Sequence, residues 1–309
     1  MNAARSFRLF LAAWVVGIPA SSAVAHDSPE HVIEMLTARM EAIGPRADLY
    51  WRRATEHRAI GQLKEAAVDL KRAIKLKPDY LAAYADLSRV ELAQGKPRRA
   101  ISTLERALKQ IPDEAGRAPL LMLRAEIFSE SGEFEKALAD CDRALAARGT
   151  AEVDWYLTRS QIQCRLGRFA QAARGLQQGF ELTGSAVLDV ESIDAMIDAG
   201  LYADALAKIE PVLAEARWQS AWLIRRGRVR LGTGNIADAH QDLLAAIHEL
   251  NSRLQSKQPD SSLLADRGLA YALLGDATLA RRDFGTARKL GGDPWALRRL
   301  EVTLASQRR

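Results

Sequence analysis

Between Ala47 and Asp293 small and apolar residues recur three and four positions apart, the spacing that puts them on one face of a helix, and this pattern itself repeats. The repeat is marked by Ala66, Ala100, Ala137, Ala172, Ala205, Ala239 and Ala280, at successive gaps of 34, 37, 35, 33, 34 and 41 residues. Five residues before each marker stands a glycine: Gly61, Gly95, Gly132, Gly167, Gly200, Gly234 and Gly275. A glycine there ends one helix in the left-handed conformation that residues with a β-carbon adopt poorly. The alanine then lets a second helix approach the first closely, and Leu70, Leu104, Cys141, Leu176, Ile209, Leu243 or Phe284, four places on, fills the space between them. Each repeat therefore predicts a helical hairpin, and the predicted units run approximately over residues 47–80, 81–114, 118–151, 153–185, 186–219, 220–260 and 261–293. The 37-residue gap predicts an extended turn at Asp113 to Ala118, and the last gap an elongated second helix ending near Asn251 to Asp260. Pro211, inside the second helix of the fifth unit, predicts a local distortion or break.

One hairpin has too little area to bury its apolar face alone, so the units must stack and the ends need covering. Ser28 to Gly44 predicts an amphipathic helix, with Ser28 as cap, Glu30 in the first turn and Val32, Ile33, Leu36 and Met40 on one side; residues 26–46 form the N-terminal capping region. At the other end Asp293-Pro294 opens a capping helix over 294–309, with Leu297, Leu300 and Leu304 on one stripe and arginines elsewhere facing solvent. Ahead of the array, Arg5 and Arg8, the apolar stretch from Leu9 to Ala20 and the small-x-small run Ala23-Val24-Ala25 predict a signal peptide over 1–25, cleaved after Ala25. Its apolar core is too short to span a bilayer, and no later stretch is both long and uncharged. The expected location is periplasmic, or secreted.

The clearest unit carries Tyr84, Leu87, Gly95, Ala100, Leu104, Ala107 and Pro112 at places 4, 7, 15, 20, 24, 27 and 32 of a 34-residue frame. The preceding unit repeats the frame with Tyr50, Gly61, Ala66, Leu70, Ala73 and Pro78. This closely resembles the tetratricopeptide repeat, over roughly Ala47 to Asp293, though Gly179 and Val212 replace the alanine at place 27 in the fourth and fifth units. The resemblance implies an all-α fold, a right-handed α-solenoid of about seven hairpins between N- and C-terminal capping helices. It also implies a concave groove lined by places 2, 5, 9, 12 and 13 of the first helices, where a protein or peptide partner lies. Those places and their neighbours nominate Trp51, Thr55, Arg58, Arg89, Met122, Glu126, Gln161, Arg165, Arg225 and Arg228. The lysine and asparagine clamp with which some members grip terminal carboxylates is absent: Trp51, Thr55, Ala85 and Arg89 hold the corresponding places.

Composition narrows the function further. Loss of the leader removes Arg5 and Arg8 and no acid, taking the net charge from +5 to a mild +3 and giving no concentrated basic stripe for nucleic acid. The densest basic run, Arg225, Arg226, Arg228 and Arg230, spreads over different helix faces, as arginines that snorkel over apolar surface do, while Arg225 and Arg228, three apart, could meet an acidic partner segment. Trp218 and Trp222, four apart, are expected at a junction between units. His26, His31, His57, His240 and His248 stand near no serine, cysteine or carboxylate at a catalytic or metal-binding spacing, and His57 at place 11 reads as a packed structural histidine. Cys141 and Cys164 lie at different heights on neighbouring helices, which favours two separate thiols over a bridge. The chain is accordingly read as a non-catalytic interaction scaffold with no cofactor and no metal, or alternatively as an accessory subunit or chaperone-like assembly factor of an exported enzyme or secretion complex.

Overall fold

The computed structural model describes residues 28–147, 152–255 and 259–306, so the predicted leader at 1–25 lies outside the described residues. Among the described residues there are sixteen α-helices and no strand. The chain divides after Lys96 into two compact units. The first holds α1 (Pro29–Ile43), α2 (Ala47–Ala59), α3 (Leu63–Leu76) and α4 (Leu81–Ala93). The second begins with α5 (Pro97–Gln110) and continues with the hairpins α6 (Glu114–Glu130) and α7 (Phe134–Ala147), then α8 (Val153–Arg165) and α9 (Phe169–Thr183). It goes on through α10 (Ala186–Asp198) and α11 (Tyr202–Glu215), α12 (Ser220–Gly232) and α13 (Ile236–Leu254), and α14 (Ser261–Leu273) and α15 (Ala277–Lys289), and ends in α16 (Pro294–Ser306).

Every turn glycine of the predicted frame has φ between 71° and 89°. In each turn the residue after the glycine donates its N–H five places back, as in Gln62 to His57 at 2.8 Å, Arg168 to Gln163 at 2.8 Å and Asp276 to Tyr271 at 2.9 Å. One side-chain-independent device therefore closes all the turns. The seven marker alanines are each 0 % exposed, as alanine at that place requires if the helix backbones are to meet. At the ends the caps form as the sequence predicts. Ser28 Oγ accepts from the N–H of His31 at 3.3 Å, and Asp293 Oδ2 accepts from the N–H of Ala296 at 3.1 Å.

A second repeated contact runs across the hairpins. The residue at place 7 of the first helix and the one at place 23 of the second lie sixteen apart, and in four units they are arginine and aspartate joined by two bonds. Arg53 meets Asp69 at 2.6 and 2.8 Å, Arg124 meets Asp140 at 2.6 and 2.7 Å, Arg226 meets Asp242 at 3.0 and 2.7 Å, and Arg267 meets Asp283 at 2.7 Å twice. All four aspartates are buried. The planar fork satisfies both carboxylate oxygens at once, which is what permits a charge at a core position.

Three sequence expectations are corrected. The extra residues of the third unit lengthen its first helix instead of its turn: α6 starts at Glu114, and the side chain of Asp113 caps it by accepting from Gly116 N–H at 2.7 Å. Pro211 does not break α11, which runs unbroken to Glu215. Both Pro211 and Ala207, whose carbonyl loses its usual donor, are exposed, so water can take the missing bond. In the same helix the buried stripe passes through Ala205, Ile209 and Leu213, leaving Val212 at 41 % exposure where the frame calls for a core residue. Gly179, by contrast, is explained: a β-carbon there would stand 2.7 Å from Tyr156 Cγ and 2.9 Å from Leu188 Cδ1.

Candidate functional site

In the first unit the predicted groove residues converge around Trp51. Its Nε1–H donates to Asp86 Oδ2 at 2.7 Å, and Asp86 Oδ1 accepts from Arg89 Nη1 at 3.1 Å. The ring of Tyr80 lies 6.0 Å away, tilted by 53°, and the Thr55 hydroxyl donates to the Trp51 carbonyl at 3.1 Å. Beside this cluster α1 and α2 enclose an open cleft of about 460 Å³, lined by Val32, Met35, Leu36 and Arg39 on one side and Trp51, Arg52, Thr55 and Glu56 on the other. Met35 is 51 % exposed at its mouth. Arg58 is exposed and Arg89 is exposed beyond its contact with Asp86. Trp51, Thr55 and Arg89 are thus brought together on one face. Asp86, which orients two of them, sits at place 6 and was not among the nominated residues.

The corresponding face of the second unit is different. Met122 is 3 % exposed, inside the core formed with Ala118, Leu121, Ala125 and Ile162, so it presents nothing to a partner and its nomination is corrected. Glu126 and Arg165 are exposed and Gln161 is half-buried. Arg225 and Arg228 are not waiting for an acidic partner either. Arg225 places Nε and Nη2 at 3.1 and 2.8 Å from Asp194 Oδ2, and Arg228 pairs with both Asp194 and Asp198. Their neighbours turn the other way: Arg226 and Arg230 both reach Asp242 on α13, the latter at 2.7 Å. The basic run therefore serves two carboxylate sites on opposite sides of α12 and does not simply snorkel over apolar surface.

Asp194, 1 % exposed, is the hub of this network. A third guanidinium reaches it from α16, where Arg299 Nη2 lies 3.2 Å from Asp194 Oδ2 and 3.4 Å from Glu191 Oε2. Burial alone would raise the Asp194 carboxyl, but Arg225, Arg299 and Arg228 together hold it well below the usual carboxylate range. For Glu191 burial wins and the carboxyl is pushed up, with Asp194 adding to the effect against Arg299. Among the described residues Asp266 of α14 makes no hydrogen bond or ion pair, and burial raises its carboxyl to about 6 although Arg225 and Arg299 oppose the shift. The expectation that α16 turns its arginines to solvent is corrected for Arg299, because α16 places that side chain against two carboxylates, Asp194 and Glu191, while Leu300 and Leu304 are buried. Between α16 and α8, α10 and α12 remains a cavity of about 390 Å³.

The remaining candidates have structural surroundings. His57 Nδ1 lies 2.6 Å from Gln62 Oε1, and its Nε2 is 3.9 Å from Asp69. Cys141 and Cys164 are free thiols, pushed up by burial to about 12 and about 11. Trp222 packs into the core of the second unit, whereas Trp218 is half exposed between the guanidiniums of Arg217 and Arg253, at 5.2 and 4.9 Å. Among the described residues there is no group of three or more side chains suited to a metal ion and no helix long and apolar enough to cross a membrane.

Comparison with known proteins agrees with this geometry. A family model described as tetratricopeptide repeat matches residues 58–127. The chain is 29 % identical over 98 residues to the small glutamine-rich tetratricopeptide repeat-containing protein 2 of Saccharomyces cerevisiae, covering 32 % of this chain and 28 % of that one. It is 24 % identical over 299 residues to DnaJ homolog subfamily C member 3 of Bos taurus, covering 78 % of this chain and 58 % of the relative. The chain thus spans less than two thirds of either relative. Among solved structures, a tetratricopeptide repeat protein from Parabacteroides merdae superposes with a TM-score of 0.57 at 18 % identity, covering 84 % of this chain and 98 % of that one, which supports the fold.

Proposed function

The chain is a tetratricopeptide-repeat protein, and on that premise we propose that it is a non-catalytic scaffold that binds a protein or peptide partner on its first-helix face, chiefly through the Trp51 cluster of the first unit. The observation that carries this is the orientation of Trp51. Its indole is fixed by a charged acceptor at 2.7 Å, yet it borders an open cleft in which Met35 is 51 % exposed. An aromatic ring held in place loses little freedom on binding, and such residues dominate the energy of protein interfaces. Arg52, Arg58 and Arg89 around it select acidic groups, while Val32, Met35 and Leu36 supply apolar contact.

We place this scaffold in the periplasm or outside the cell, on the leader pattern of Arg5, Arg8, Leu9 to Ala20 and Ala23-Val24-Ala25. A protein recovered from cells with His26 at its N-terminus is the expected result, and one retaining residues 1–25 refutes cleavage. Function is tested by crosslinked capture from that compartment, comparing the wild type with Trp51→Ala combined with Arg89→Ala. Partners captured by the wild type and lost by the variant, at unchanged helicity, support the proposal, and capture at a fixed ratio favours the alternative of an accessory subunit. Undiminished capture moves the binding face elsewhere.

A further inference from the structure

We propose that the cavity between α16 and the helices facing it in the second unit is a binding site for a small carboxylate with a short apolar tail, its carboxylate held by Arg298 and Gln161. The cavity, of about 390 Å³, is walled by α8, α9 and α10, by Arg228 of α12 and by α16 itself. That size lies toward the lower end of small-molecule pockets, roughly 300–1,000 Å³. Six charged side chains line it, and five of them neutralise one another: Glu191, Asp194 and Asp198 pair with Arg228 and Arg299. Arg298 is the sixth. Half-buried, it makes no hydrogen bond or ion pair among the described residues, so the wall of the cavity holds one guanidinium without an anion.

The surroundings of Arg298 sharpen this demand. Burial, and next the like charge of Arg165, loosen its hold on its proton, and Cys164 and Glu301 oppose this without reversing it. The Cys164 thiol, which lines the same cavity, is itself pushed up by burial to about 11, so at neutral pH it leaves the guanidinium unmatched. Gln161 stands on α8 across the cavity with an amide that makes no hydrogen bond among the described residues, and its N–H gives a carboxylate a second donor. Leu176, Ala195, Phe169 and Val302 make the lining apolar, the first two buried and the last 59 % exposed at the mouth. A cation is not the occupant, since each acid of the wall already has its arginine. An apolar cavity with one unmatched cation and one free amide takes an anion that carries a hydrocarbon tail.

The inference goes beyond the scaffold reading and uses no residue of the Trp51 cluster, so it stands or falls apart from partner capture. The probe is hexanoate, added to the full-length chain while N-ethylmaleimide modifies Cys164, with peptide mass spectrometry as the readout and the fully buried Cys141 as internal reference. Hexanoate is expected to slow modification of Cys164 saturably and to leave Cys141 at its own rate. Loss of a charge-assisted hydrogen bond weakens binding roughly tenfold or more, and that is the loss expected for hexanamide, and for hexanoate with the Arg298→Gln chain. Each methylene withdrawn from water adds roughly fourfold, so butanoate should be weaker than hexanoate by about an order of magnitude. Val302→Glu is the second variant. It sets a carboxylate four places from Arg298 on the same helix, at an exposed position, and should weaken hexanoate as Arg298→Gln does. Protection by hexanamide or hexylammonium equal to that by hexanoate, protection that survives either variant, or equal protection of Cys141 overturns the proposal, and so does the absence of any protection. If Cys164 proves unreactive in the free chain, broadening of the hexanoate proton NMR signals decides: broadening by the wild type that Arg298→Gln abolishes supports the site, and equal or no broadening overturns it.

Discussion

The same repeat frame produces two different surfaces. In the first unit the inward places carry Trp51, Thr55 and Arg89, with Asp86 holding Trp51 and Arg89 and the group left open beside a cleft. In the second, the acids on α10 and the bases on α12 satisfy one another and the incoming Arg299. Charge at a groove place is therefore no sign of a vacant receptor, because the neighbouring repeat can supply the counter-charge. The contrast breaks most sharply at the hub. Asp194→Ala leaves Arg225, Arg228 and Arg299 without their shared acceptor, and removing one partner from a buried charge cluster costs about 3–5 kcal/mol. Thermal unfolding should report a large loss, and a melting temperature close to that of the wild type would show that the network is solvated and not structural.

The hairpins were legible because their causes are local. A glycine at a left-handed turn, an alanine five residues on and an aliphatic residue four beyond that specify a turn and a helix contact without reference to the rest of the chain. The repeated arginine–aspartate pair was equally available, as the sixteen-residue spacing of Arg53 and Asp69, Arg124 and Asp140, Arg226 and Asp242, and Arg267 and Asp283 can be read off the chain. A frame aligned on small and apolar residues does not display it. The fourth unit shows its logic by omission: Gly175 stands at place 23, and Arg159 turns to Asp142 at 2.7 Å instead. The Asp194 hub was not legible, since its partners come from residues 31, 34 and 105 places on and meet only through the angle at which hairpins stack. Met122 failed as a groove residue for a related reason: a place number gives a direction from the helix axis, and the packing of the neighbours decides what still reaches the surface.

Tyrosine at place 4 provides the next contrast. In the first unit Tyr50 lies under Arg53 and Arg72, at 5.7 and 5.6 Å, and place 27 holds the buried Ala73. In the second unit Tyr156 takes the space that an alanine methyl would need at Gly179. Gly179→Ala should therefore destabilise by about 1–3 kcal/mol through overpacking, despite the better helix propensity of alanine. Ala73→Gly should cost about 1 kcal/mol for the opposite reason. Denaturant titration of both variants checks the pair, and a stabilised Gly179→Ala protein would mean that the ring swings aside freely.

Acidity separates the two carboxylates of the second network. Asp194, held below its usual value of 3.8, contributes stability that is present above that value and lost as the pH falls through its depressed folded value. Asp266 does the reverse. With its carboxyl raised to about 6 by burial, against Arg225, Arg299 and Arg253 and reinforced by Asp194, the folded protein binds the proton more tightly than the unfolded chain does. Stability then declines as the pH rises from about 4 to about 6. Asp266→Asn should remove that decline, gaining on the order of 1 kcal/mol over the wild type at pH 7 relative to pH 4 once solvent screening is allowed for. Parallel melting curves at the two pH values would show it, and an unchanged difference would mean that water reaches Asp266 in the folded protein.

The smallest effect on folding belongs to the open face. Arg89 is half exposed, and its bond to Asp86 at 3.1 Å is a surface pair three residues apart on one helix. Such pairs contribute about 0.5 kcal/mol or less, so Arg89→Ala should leave the melting temperature almost where it was. Its consequence should appear in partner capture, because Asp86 loses one of its two donors and the indole of Trp51 loses a fixed counterweight beside the cleft. Asp194 and Arg89 then mark opposite ends of one scale, the first holding the molecule together and the second holding something else to it. An Arg89→Ala chain that captures its partner as the wild type does would erase the distinction, and one that unfolds early would place Arg89 among the structural charges with Arg225 and Arg228.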